Sequence, residues 1–64
     1  MPFIDVTLIE GRSPEKKVKL IAKLTEATME ALDAPPESVR VVLREVPATH
    51  WGVAGVPKKM PEGL

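Results

Sequence analysis

The chain has 64 residues, no cysteine, and nine basic and nine acidic side chains that give a formal net charge of zero. A chain of this length forms at most one small domain and buries only about 60% of its unfolded surface on folding, so we expect oligomerisation to supply further stability. The balanced charge argues against nucleic acid as a partner, and the lack of a long apolar run argues against a membrane span or a signal peptide. We therefore expect a single domain over residues 1–64 in a cytoplasmic protein.

Two segments, residues 2–9 and residues 39–46, have the alternating apolar pattern of strands. The helix predicted between them makes a βαβ unit with parallel strands and a right-handed crossover. Residues 50–56 have the glycine spacing of a bent strand or small hairpin, and residues 57–64 read as a polar tail. The predicted fold class is α/β (α+β), a single βαβ unit with a short C-terminal hairpin. Because two strands do not make a stable sheet, we expect oligomerisation to complete it.

The helix is predicted to begin at Pro14, with Ser13 as its N-cap, and to run to about Asp33, where Pro35 and Pro36 end it. At about 100° per residue, its charged side chains gather on one side and its apolar arc covers well over half of the circumference. A helix that packs on one surface needs an apolar stripe of only roughly 100°. We expect a second subunit to cover the excess.

The segment Met1-Pro2-Phe3 opens directly into the first strand. If Met1 is removed, Pro2 becomes an N-terminal secondary amine, which can take up and return a proton. A rigid strand behind that nitrogen would hold it in place. Pro2 is therefore a candidate general base, but only in a chain that has lost Met1.

Arginine side chains supply candidate binding groups, since guanidinium is the preferred fork for carboxylates. For Arg12 and Arg40, binding of a carboxylate and surface ion pairing are competing interpretations. For Arg44 we prefer surface ion pairing, for instance with Glu45 or Glu10.

The positions of these residues suggest a site that is shared between subunits. Pro2 and Arg12 lie about 25 Å apart along the first strand, at about 3.3 Å per residue, so they do not meet within one chain. Antiparallel pairing of the first strands of two copies would bring Pro2 of one chain close to Arg12 of the other. Arg40 begins the second strand at the edge where Pro2 begins the first.

Trp51 is one of only two aromatic residues. It is either a core or interface anchor or an apolar wall that depresses the pKa of a nearby amine, and the two interpretations are compatible. His50 is interpreted as a turn residue, because a lone histidine without carboxylate or cysteine companions is a poor metal or nucleophilic site. Lys58 and Lys59 are interpreted as a solvated tail.

Five short segments together resemble the 4-oxalocrotonate tautomerases of the tautomerase superfamily. The resemblance extends over nearly the whole chain, and the segments that carry it are Met1-Pro2, LIEGRS at 8–13, LDAP at 32–35, SVRV at 38–41 and HWGVAG at 50–55. In this order and at this spacing, in a chain this short, the motifs are specific. The resemblance implies a tautomerase-like βαβ protomer, dimers with a four-stranded sheet, and a homohexamer built as a trimer of dimers.

The same resemblance implies an isomerase that acts on 2-hydroxymuconate-like or phenylenolpyruvate-like enol acids and requires no metal or organic cofactor. Pro2 would be the general base that moves a proton between the enol oxygen and a carbon of a dienol acid. Arg12 would bind the distal carboxylate, and Arg40 from another subunit would bind the carboxylate and oxygen at the 2-oxo end. Further substrate contacts are implied for Ile9, Ser38 and Trp51, with Trp51 where the family commonly has phenylalanine.

Other functions are left open by the residues alone. The same site could serve hydration, dehalogenation or decarboxylation, although those reactions generally need an added acidic residue to activate water. A non-catalytic homo-oligomeric binding module is a second alternative, and retention of Met1 would favour it, since Pro2 then carries an amide nitrogen. A DNA-binding ribbon module is disfavoured by the neutral charge and the single long helix.

Overall fold

A computed structural model describes residues 1–63, and the βαβ unit predicted from the sequence is present in it. Strand β1 spans Phe3–Ile9, helix α1 spans Pro14–Leu32, and strand β2 spans Arg40–Val46. The two strands are parallel, in a register that runs from Phe3 opposite Arg40 to Ile9 opposite Val46. The order strand, helix, strand and the parallel pairing confirm the predicted fold class.

The ends of α1 follow from local chemistry. The Ser13 Oγ accepts a hydrogen bond from the Lys16 backbone N–H at 3.3 Å, which makes Ser13 the N-cap, and Pro14 is the first helical residue. At the other end, Asp33 adopts the left-handed conformation, with φ 53° and ψ 38°, and stops the helix. Both ends agree with the prediction to within one residue.

The sheet presents two different faces. Ile4, Val6 and Leu8 are half-buried on the side that faces α1, whereas Phe3 and Asp5 are exposed on the other side. On the helix side, the Lys17 Nζ forms an ion pair of 3.0 Å with Glu45, which joins the first turns of α1 to the end of β2. The helix therefore covers one face of the sheet, and the opposite face is uncovered.

Two short elements that the sequence pattern did not predict lie before and after β2. Single turns of 3₁₀ helix span Pro36–Ser38 and Ala48–His50. Each is closed by i→i+3 backbone hydrogen bonds, such as the bond of 2.9 Å from the His50 N–H to the Pro47 carbonyl. His50 thus lies in a turn, as predicted.

The predicted hairpin is present as strands β3, Gly52–Val53, and β4, Val56–Pro57, which pair antiparallel. Its two turn residues, Ala54 and Gly55, both have positive φ, 54° and 83°, as a type I′ turn requires. After the hairpin, the Lys58 and Lys59 backbone N–H groups donate hydrogen bonds to the Trp51 and Ala48 carbonyls, in and next to the preceding 3₁₀ turn. Both lysines are exposed, as predicted. The last residue of the predicted tail, Leu64, lies outside the described residues.

The isolated protomer has little core. Among residues 1–63 only Val39 is buried, at 9% exposure. A compact domain of this length has a radius of gyration of about 11 Å, whereas the observed value is 15.3 Å, with a longest dimension of 49 Å. The accessible surface is 5015 Å², against about 4,000 Å² for a folded monomer of this mass. The protomer therefore has the shape of a subunit rather than of a self-sufficient domain.

Large apolar side chains on three separate surfaces remain in water in the single chain. They are Phe3 on the outer sheet face, Val18, Ile21 and Leu32 on α1, and Val53 and Val56 on the hairpin. The helix residues lie beside the half-buried stripe of α1, on the excess of apolar arc that the sequence predicted a second subunit to cover. Over the residues described, no helix combines the length and the apolar character needed to cross a membrane.

Candidate active site

Pro2 is held at the amino end of β1. Its carbonyl oxygen accepts a hydrogen bond of 3.0 Å from the Arg40 backbone N–H, so the parallel ladder continues one residue beyond Phe3. Pro2 is half-buried, whereas Met1 is 87% exposed. While Met1 is attached, the Pro2 nitrogen belongs to a peptide bond and has no basic lone pair. Loss of the exposed Met1 would place a free amine at a fixed point on the edge of the sheet.

Arg40 and Ser38 lie at the same end of the sheet as Pro2. The Arg40 guanidinium is exposed, and its Nη1 donates to the Glu37 carbonyl in the 3₁₀ turn before β2. The Ser38 Oγ donates to the Pro35 carbonyl at 2.8 Å. The 3₁₀ turn thus places a guanidinium and a hydroxyl beside the start of β2, next to the start of β1.

Arg12 lies at the opposite end. It follows β1 after Gly11, whose φ of 118° bends the chain towards the helix, and its Nη1 donates to the Ile9 carbonyl at 3.3 Å. Ile9 is half-buried opposite Val46, where β2 also ends. Trp51, also half-buried, is five residues beyond that end of β2, and its carbonyl oxygen accepts a hydrogen bond of 2.8 Å from the Lys58 N–H.

The six residues predicted for the site therefore form two groups at opposite ends of the sheet. Pro2, Ser38 and Arg40 lie at one end, Ile9 and Arg12 lie at the other, and Trp51 follows the end of β2 there by five residues. A single chain does not bring the groups together, because β1 separates them by about 20 Å at ~3.3 Å per residue. The first group has the fixed nitrogen and the second has the apolar side chains and a second guanidinium.

Arg44 forms an ion pair, as predicted, but the predicted partners were wrong. Its Nε donates to both carboxylate oxygens of Asp5, at 3.0 and 3.1 Å. Alternation along β2 explains the error, because Glu45 points to the opposite face, where it pairs with Lys17. Asp5 lies opposite Val42, two residues before Arg44, so the two charged side chains share the outer face of the sheet.

A cationic groove beside Arg12 was not singled out from the sequence. It is an open depression of about 380 Å³ lined by Arg12, Lys16, Lys19, Leu20 and Lys23. The available signal was the spacing of the three lysines, three and four residues apart, which puts them on one side of the helix. From the sequence, this side of α1 was predicted only to be its charged face.

Comparison with known proteins identifies relatives over almost the entire chain. The family model described as tautomerase enzyme matches residues 2–60. A probable tautomerase of Ralstonia nicotianae is 66% identical over 58 residues, which are 91% of this chain and 83% of that protein. A 2-hydroxymuconate tautomerase of Comamonas testosteroni is 48% identical over 59 residues, which are 92% of this chain and 94% of that protein.

Solved structures agree with the sequence relatives. A heterohexamer 4-oxalocrotonate tautomerase from Chloroflexus aurantiacus superposes with a TM-score of 0.88 at 41% identity, and the match covers 91% of this chain and 94% of that chain. The βαβ unit and its short C-terminal strands are thus the fold of that protein's subunit. Its assembly as a heterohexamer is in line with the uncovered apolar surfaces of the present chain.

Proposed function

Because this chain belongs to the tautomerase family and is accordingly an isomerase, we propose that it interconverts enol and keto forms of 2-hydroxymuconate-like or phenylenolpyruvate-like acids without a cofactor. The observation that carries the proposal is the position of Pro2. Its backbone is tied to the second strand by the 3.0 Å hydrogen bond from Arg40, and the residue before it, Met1, is exposed. Cytoplasmic location is part of the same proposal.

Pro2 acts as the general base once Met1 has been removed. Its secondary amine takes the proton from the enol hydroxyl, the electron pair moves through the conjugated system, and the resulting ammonium returns the proton to a carbon of the dienol. The proton count is unchanged, so the amine is regenerated in each cycle. An amine that cycles in this way must be largely unprotonated at the working pH.

The arginines support this proton transfer in two ways. Arg40 binds the carboxylate and the oxygen at the 2-oxo end, where negative charge develops, and Arg12 binds the distal carboxylate. Two nearby guanidinium groups also disfavour the ammonium form of Pro2 and so favour the basic form. Ser38, Ile9 and Trp51 line the pocket, and the apolar walls strengthen each electrostatic interaction.

The two groups of site residues meet only in an assembly. Antiparallel pairing of β1 from two copies places the end that bears Pro2 beside the partner's end that bears Arg12. This arrangement completes a four-stranded sheet, and three such dimers give the homohexamer that we propose. It also covers apolar surface that is exposed in the single chain, such as Val18 at 68% exposure.

The experiment that tests the proposal compares three forms of the protein: processed chain, chain that retains Met1, and processed Pro2→Ala. Intact mass establishes which residue is N-terminal, and absorbance follows ketonisation of 2-hydroxymuconate and phenylenolpyruvate. We expect kcat/KM to fall by about 10²-fold to 10⁴-fold in the second and third forms, the usual contribution of a positioned base. Equal rates for the processed chain and Pro2→Ala would show that the proline mechanism is wrong.

A further inference from the structure

The groove beside Arg12 concentrates positive charge in a chain that is neutral overall. Its lining contains four basic side chains and no acidic one, although the whole chain has nine residues of each sign. Leu20 is the one apolar residue of the lining, and long basic side chains commonly lay their aliphatic stems along apolar surface while the charged end stays in water. The result is a solvated, open, cationic surface that is continuous with the Arg12 guanidinium.

The lysines of this groove are placed against the local preferences of a helix. Lys16 and Lys19 are three residues apart, and Lys19 and Lys23 are four apart, so like charges face each other along one side of α1. Lys16 also lies in the first turn, where the helix dipole favours anions, and no basic residue lies in the last turn, where it favours cations.

Glu15 is the acidic residue of the first turn and lies four residues before Lys19, but over residues 1–63 it forms no ion pair with a groove lysine. Lys23 has Glu26 at 3.9 Å, in a pair that is largely exposed to solvent. Over residues 1–63, neither Lys16 nor Lys19 forms an ion pair. Positions where a sequence breaks local rules without a structural gain are those expected to serve function.

We propose that Lys16, Lys19 and Lys23 form an electrostatic approach path that draws anionic substrates towards Arg12 and favours dicarboxylate over monocarboxylate enols. The inference rests on the proposed function, since Arg12 is taken there as the site of the distal carboxylate. A cluster of one sign raises the local concentration of the opposite charge and the association rate. A dianion gains about twice as much as a monoanion, because the energy is proportional to the product of the charges. The lysines therefore act on substrate capture and selectivity and take no part in proton transfer.

The test compares two double variants that remove the same charge from different places. Lys16→Gln with Lys19→Gln removes two charges from the groove, and Lys58→Gln with Lys59→Gln removes two from the exposed segment after the hairpin. Glutamine is as good a helix former as lysine, and the first variant also relieves a like-charge repulsion. The groove variant should therefore unfold at a temperature no lower than that of the unmodified chain.

For the groove variant at low ionic strength, we expect kcat/KM for the dicarboxylate 2-hydroxymuconate to fall by about threefold to tenfold. We expect a smaller fall for the monocarboxylate phenylenolpyruvate and an unchanged kcat for both. The difference in kcat/KM between the groove variant and the unmodified chain should disappear at about 1 M salt, where the screening length is only about 3 Å. The variant with Lys58→Gln and Lys59→Gln should keep the kcat/KM of the unmodified chain and its dependence on salt.

Binding of adipate, a dicarboxylate with no enol to react, separates the failure of this inference from the failure of the proposed function. Calorimetry should give a weaker and less salt-dependent affinity in the groove variant than in the unmodified chain, whether or not either enol turns over. If the unmodified chain is active while both double variants retain its kcat/KM, its salt dependence and its adipate affinity, the groove proposal is wrong and the proposed function stands. Equal losses in the two double variants would also overturn the groove proposal, because they would reflect net charge and not its location.

Discussion

Ala54 occupies a backbone conformation that residues with a side chain rarely adopt. Its φ of 54° lies in the left-handed region, where an L-residue other than glycine, asparagine or aspartate costs roughly 1–2 kcal/mol. The hairpin needs this conformation, because both central residues of its turn have positive φ. The local strain at Ala54 is thus offset by the pairing of the two short strands.

Replacing this alanine by asparagine should stabilise the protein. Asparagine tolerates the left-handed conformation and, followed by Gly55, gives the preferred sequence of a type I′ turn. We expect Ala54→Asn to raise the free energy of unfolding by about 0.5–1 kcal/mol per subunit, measured by thermal unfolding at a fixed protein concentration. Ala54→Val is the matched control, since a β-branched residue at positive φ should lower the unfolding temperature. A similar unfolding temperature for both variants would contradict this account of the turn.

Single residues were predicted well where their chemistry is local and poorly where it depends on a neighbouring strand. Ser13 was identified as a cap because its hydroxyl bonds three residues ahead. Arg44 was given the wrong partner because Asp5 is distant in sequence and is brought near only by the register of β1 and β2. Pro2, Arg12, Arg40 and Trp51 were singled out from their chemistry and Ile9 and Ser38 from the family resemblance, and the roles of all six remain proposals.

Helix α1 has more apolar surface than its contact with the sheet buries. Leu20 and Leu24 are half-buried, whereas Val18 is 68% exposed and Ile21 and Leu32 are exposed as well. Apolar area of this kind lowers the free energy of association by roughly 25 cal/mol per Å² removed from water. The exposed side of α1 is therefore the surface on which we expect subunits to pack.

A charge introduced on that side should weaken the assembly. For Val18→Glu we expect a penalty of about 3 kcal/mol or more per subunit from an unpaired buried carboxylate, seen as a smaller mass in sedimentation and a lower unfolding temperature. The matched control is Ala27→Glu, which adds the same charge at an exposed position nine residues on, about 180° around the helix at 100° per residue. If both variants keep the mass of the unmodified protein, the exposed side of α1 is not an interface.

At the scale of elements, strands and helix were predicted from periodicity and proline positions, and the bounds were close. The 3₁₀ turns at Pro36–Ser38 and Ala48–His50 were missed because a single turn has too few residues to show a period. The cationic groove was missed for another reason. Periodicity assigned Lys16 and Lys19 to a charged face, but only the position of that face relative to Arg12 indicates a functional surface.

The whole molecule is incomplete as a single chain, and this gives a direct test of the shared site. If Pro2 and Arg12 of each site come from different chains, a Pro2→Ala chain and an Arg12→Ala chain can together form an intact site. A mixture in equal amounts, unfolded and refolded together, should regain about a quarter of the unmodified activity, because half of the dimers are mixed and one of their two symmetric sites is intact.

Each variant refolded alone is the control for this mixing experiment. Ketonisation measured by absorbance should be low in both controls, and the mixture should exceed their mean severalfold. A mixture no more active than that mean would show that each site is built from a single chain.

The scarcity of buried side chains in the single chain has a consequence for how the protein exists in a cell. With Val39 alone buried among the residues described, we expect a newly synthesised chain to gain most of its stability only when it associates with another. Its persistence then obeys mass action, so the amount of working protein rises more steeply than the number of chains produced. For such a protein we expect the unfolding temperature to fall on dilution, because dilution favours dissociation of the subunits.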